Sequence, residues 1–116
     1  MKPKIIFLIR SNPMEDRRVA EGLRMAAGLG TGENSVKIIL SGEALQLLDP
    51  DAEDLADMET LERYLPILGE WEIPFYAPKK ELDRGIPIRS DVQVQAVDDE
   101  TLAEVMAGGH CYFVFS

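Results

Sequence analysis

The sequence predicts an α/β fold, a three-layer arrangement in which helices cover both faces of a five-stranded parallel sheet. Three observations carry that expectation. Short apolar runs rich in β-branched residues, such as "KIIFLI" (4–9) and "VKIIL" (36–40), read as strands buried on both sides. Between such runs lie stretches with apolar residues at helical spacing. The two kinds alternate along the chain, and that alternation builds parallel sheets. With 116 residues, 46% hydrophobic and 28% charged, the chain suits one domain over 1–116.

Each element has its own signal. After the first strand comes "SNPMED", where Asn12 can cap a helix, Pro13 suits the first helical position and Glu15 can close a capping box. Val19, Ala20, Leu23, Ala26 and Ala27 then form one apolar stripe. Gly22 within it costs about 1 kcal/mol against alanine, which close packing on the sheet would explain. "GLGTGENS" (28–35) reads as a helix end and loop. It lacks the lysine and hydroxyl of a phosphate loop, and it follows a helix instead of preceding one.

The second strand leads into a short helix beginning at Ser41 or Gly42, with Leu45 and Leu48 facing inward. A longer helix is expected over 54–65, carried by Leu55, Met58, Leu61, Leu65 and Leu68, with Pro66 ending or kinking it. "EIPFYA" (72–77) is the third strand, and Pro74 places a strand start or edge there. A short helix over 79–84 should stop at Gly85. "DVQVQAV" (91–97) alternates as a half-exposed strand does. "DDETLAEVMAG" (98–108) has capping acids and an apolar set of Leu102, Val105 and Met106, and "CYFVF" (111–115) closes the sheet.

Composition excludes several function classes. Twelve basic against 21 acidic residues give a net charge of −9, the wrong sign for a nucleic-acid binder. Seven carboxylates and no base fall within 49–62, a run that reads as a solvated helix face and loop, with docking of a basic partner as the sharper alternative. The single cysteine, Cys111, cannot form an internal disulfide. Ile5 to Ile9 is too short an apolar run for a membrane span or signal core, so a cytoplasmic, membrane-independent protein is expected.

In parallel sheets, ligands bind outside the carboxyl ends of the strands. That rim should carry Arg10, Ser11 and Asn12; Ser41, Gly42 and Glu43; Tyr76, Ala77, Pro78, Lys79 and Lys80; and Asp98 and Asp99. A receiver domain would need an acidic, magnesium-holding cluster after the first strand, where Arg10-Ser11-Asn12 stands. A flavin or nucleotide site would want a hydroxyl-rich loop there, and Pro13 removes a donor from it. Neighbouring strand residues point to opposite faces, so His110 and Cys111 do not read as a catalytic pair. Cys111 reads as a buried, inert thiol at the amino edge, away from the rim. No spacing suggests a metal site, and no cofactor is expected.

Three pieces together resemble the DsrE-like family of sulfur-relay proteins, which includes the TusB, TusC and TusD subunits. They are "KIIFLIRSNP…RRVAEGLRMAAGL", "VKIILSGEALQLL" and "GEWEIPFYAPKKELDRGI". The resemblance spans most of the chain. It implies strand order 4-3-2-1-5 in preference to the flavodoxin-like 2-1-3-4-5, a cytoplasmic location, and assembly into trimers or hexamers, sometimes from unlike subunits. It also implies a persulfide-carrying cysteine after the third strand. Matching "FYAPKKELDRGI" puts Pro78 at that position, and proline holds no thiolate.

The expectation is therefore a non-catalytic DsrE-like protein, a homo-oligomer or a partner of related subunits. It would bind a small anion or a partner tail near Arg10, Lys79 and Lys80. Two alternatives stand beside it: a sulfurtransferase using Cys111, and a nucleotide or flavin binder.

Overall fold

The computed structural model describes residues 3–30, 34–52, 55–85 and 87–115. The tip of the glycine-rich loop (31–33) and two carboxylates of the acidic run, Glu53 and Asp54, lie outside the described residues. Strands β1 (Lys4–Ile9), β2 (Ser35–Leu40), β3 (Phe75–Pro78), β4 (Val94–Val97) and β5 (Cys111–Phe115) form one sheet in the order β4-β3-β2-β1-β5. Every neighbouring pair is parallel, with Phe7 opposite Ile38 on one side and Phe113 on the other. This is the order 4-3-2-1-5 that the resemblance implies.

The connecting helices are α1 (Arg18–Gly30), α2 (Met58–Glu70), α3 (Lys79–Leu82) and α4 (Asp99–Ala107), with a 3₁₀ segment at Gly42–Leu48. They are unevenly shared between the faces. Odd residues of β1 and even residues of β2 (Ile5, Phe7, Ile9; Val36, Ile38, Leu40) face a core closed by α1, the 3₁₀ segment and α2. The opposite residues, Ile6 and Ile39 with Tyr76 and Val97, pack against Leu8 and against Leu102, Val105 and Met106 of α4. The first face has a fully buried Phe7 stacked on Phe113 at 4.9 Å. On the second, α4 buries none of its residues.

Several boundaries depart from the sequence reading, each for a local reason. Helix α1 starts at Arg18, not at Pro13, because the Asn12 side chain turns back to accept from the Met14 N–H in a local turn. Asp16 does the capping instead, accepting from the Arg18 N–H at 2.8 Å. The Leu29 carbonyl at the other end of α1 accepts from the Asn34 side chain. Helix α2 begins at Met58 and runs through Pro66 to Glu70. A proline ring frees the carbonyl one turn earlier, here that of Glu62, and both residues sit on the exposed side of the helix.

The Gly22 expectation holds in detail, and Gly69 shows a closer approach that the sequence did not single out. A Cβ on Gly22 would stand 3.2 Å from the Phe115 ring, so the glycine lets α1 lie close to the sheet. One on Gly69 would stand 1.8 Å from the Asp91 carbonyl oxygen, because the segment before β4 crosses α2 at that point.

Cys111 is exposed, which corrects the expectation of a buried thiol. It begins the last strand of the sheet, and a strand at the edge has a neighbour on one side only.

Candidate functional site

Parallel strands deliver β1, β2, β3 and β4 to one rim, and three backbone links tie its loops together. The Arg10 N–H donates to Phe115 O at 2.7 Å, and the Ser41 N–H donates to Ile9 O at 3.2 Å. The Gly42 N–H donates to Glu81 Oε1 at 3.1 Å, joining the loop after β2 to helix α3. Gly42 has φ +61, a left-handed conformation that presents this amide and disfavours a side chain.

On this rim β3, next to the edge strand β4, ends on Pro78, which is buried and pairs with Val97. Its ring fixes φ at −61, and the chain passes directly into α3. Lys79 and Lys80 follow, both exposed, over a hollow of about 270 Å³ shared with Asp83, Val97, Asp98 and Asp99. Lys80 pairs with Asp99 at 3.4 Å. Asp98 caps α4, accepting from the Thr101 N–H at 2.7 Å, and that bond holds its carboxyl below the ordinary range; Lys79 adds a weaker pull. Three carboxylates against two ammonium groups leave the hollow net negative, which counts against an inorganic anion there.

A groove of about 560 Å³ lies beside α3. Gly42 and Glu43 line it, together with Gln46, Glu81, Arg84 and Pro87. The Glu81 Oε2 atom is buried and has no hydrogen-bond partner among the described residues. Sequence reading missed Glu81. The available signal was its place three residues after Pro78, one helical turn beyond the strand end.

The remaining candidates are scattered. Ser11 is buried, and its hydroxyl oxygen has no hydrogen-bond partner among the described residues, while Arg18 holds the Asp16 carboxylate below its ordinary range through a paired hydrogen bond. Asn12 is spent on its own turn. None of Arg10, Ser11 and Asn12 lines the groove or the hollow. Tyr76 lies under α4, with Lys37 Nζ 6.0 Å from its ring centre. Cys111 is at the opposite rim, where His110 exchanges hydrogen bonds with Lys4: the Lys4 N–H donates to His110 Nδ1 and the His110 N–H to Lys4 O. Among the described residues, no three His, Cys, Asp or Glu side chains converge as a metal site would require. No described helix is long and apolar enough to cross a membrane.

No protein-family model and no curated protein matches the chain. Solved structures do. The crystal structure of the ychN protein from E. coli superposes with a TM-score of 0.78 at 20% identity, covering 97% of this chain and 99% of that one. A conserved protein of unknown function from Bacteroides thetaiotaomicron, BT1422, gives 0.62 at 16% identity, covering 97% and 94%. At these identities the likeness establishes the fold. That fold, with its 4-3-2-1-5 parallel sheet and a neighbour of DsrE-like type, is the one the resemblance implies.

Proposed function

We propose that this chain is a non-catalytic member of the sulfur-relay type, acting inside the cell as an assembling, partner-binding subunit and not as a sulfur carrier. One observation carries the reading: β3 ends at the rim on a buried proline whose backbone runs straight into a helical turn. Sulfur relay needs a thiolate that attacks a sulfane sulfur, and the rim offers amide, ammonium and carboxylate groups instead. Binding remains within its chemistry. The groove at Gly42, Glu43 and Glu81 and the mixed-charge hollow at Lys79 and Lys80 suit a partner segment better than a free anion.

A second reading has one observation in its favour, the exposure of Cys111. Both are settled by incubating the protein with a sulfane-sulfur donor and weighing it intact, alongside Cys111→Ser. The first reading expects no sulfur retained on either protein. Sulfur held by the native chain and lost from Cys111→Ser would overturn it.

A further inference from the structure

Parallel sheets are normally covered on both faces, because each crossover lays a helix on one of them. Here α1, α2 and the 3₁₀ segment all go to one face, and among the described elements the nine-residue α4 is left alone on the other. What α4 fails to cover is apolar: Val114 is 61% exposed and Tyr112 48%, and Leu8 beside them is half-buried. Leu102, Val105 and Met106 of α4 stay half-buried along its flank. An uncovered apolar sheet face of this kind marks an interaction surface.

The charges around it say what would cover it. Helix α4 contributes only acids, Asp99, Glu100 and Glu104, all exposed. On the strands, the pleat that brings Ile6 and Leu8 to this face also brings Lys4, and Lys37 accompanies Ile39. One surface thus holds an acidic helix beside a basic floor, with the apolar strip adjoining both. In a two-fold pairing the same patch meets itself, so acid on each copy can face base on the other.

We propose that a second copy of this chain docks on the face formed by α4, β1 and β5, with Val114, Tyr112 and Leu8 at its centre. This rests on the assembling role proposed above and adds to it a surface and a partner. The pairing places α4 of one copy against the open floor of the other and completes the missing helical layer.

The test is light scattering with sedimentation equilibrium on the full chain at micromolar concentration. The native protein is expected to be a dimer or a multiple of it. Val114→Asp should raise the dissociation constant roughly 100-fold or more, because it would bury unpaired carboxylates. Its circular dichroism and melting in the monomeric state should stay native, since the side chain is exposed. Glu104→Lys, exposed on α4, serves as a second variant and should weaken pairing in low salt only. A native oligomer indifferent to both variants overturns this surface while leaving assembly intact. A native monomer overturns this surface, and a monomer that also binds no related subunit overturns the assembling role as well. Sulfur loading is unaffected either way and continues to report on the absence of catalysis.

Discussion

The two faces of the sheet are made from the same strands, and they differ in what the chain lays over them. On one, β1 contributes Ile5, Phe7 and Ile9 beneath α1 and α2, and the exposure of Phe7 and Ile9 falls to zero. On the other, the alternate residues Ile6 and Leu8 meet one short helix, and exposure rises from Ile6 toward Val114 at the edge. The difference separates two tasks. The crowded face holds the fold together, and the open face is the one proposed to receive a second copy.

Mutations that compare the faces should differ in size. Phe7→Ala removes a fully buried ring stacked between Phe113 and Phe115 and should cost about 3–5 kcal/mol in denaturant unfolding. Val114→Ala on the open face should stay within about 0.5 kcal/mol in the monomer. Equal losses at the two sites would erase the distinction. Gly69→Ala drives a methyl group into the Asp91 carbonyl and should cost about 1–3 kcal/mol through displacement of the segment before β4. Tyr112 is smaller in effect. Its hydroxyl donates to Met106 O and Gly109 O, tying the end of α4 to β5, and Tyr112→Phe should cost about 0.5–1.5 kcal/mol.

The acid limb of stability should report local pairs on the crowded side as well as the cap of α4. Asp91 is held below its ordinary value of 3.8 chiefly by the hydrogen bond from Arg89, against the opposing effect of partial burial. A depressed folded-state value stabilises above the unfolded one and is lost as pH falls through the folded one. Asp16 and Asp98 are shifted in the same direction, by Arg18 and by the Thr101 N–H respectively. Stability should therefore be flat above about pH 5 and fall below 3.8, with a shallower fall in Asp91→Asn. An unchanged slope in that variant would remove Asp91 from the explanation.

Much of this was legible in the sequence, for a physical reason. Strand and helix periodicities are local, so all five strands were readable, and Asp98 was recognisable as a cap from its own neighbourhood. Boundaries failed where local rules compete. Asn12 can cap a helix or close a turn on itself, and Asp16 with Arg18 decided between them. Pro66 was expected to end or kink α2, yet the helix runs on to Glu70 with Leu65 and Leu68 buried beneath it. The rim was partly readable: Gly42, Lys79 and Lys80 stand where strand ends put them, whereas Glu81 reaches the site across 39 residues of sequence. The choice of face for each helix is a property of the whole chain. No single segment shows it, and so the exposure of Cys111, Tyr112 and Val114 did not show either.

The division between a face that folds and a face that joins is tested most directly by hydrogen exchange measured over a range of protein concentrations. Amides of α4 and β5, residues 99–115, should exchange more slowly as concentration rises, while those of α1 and α2 should not respond. Protection that is independent of concentration in 99–115, or that rises instead over α1 and α2, would contradict the account.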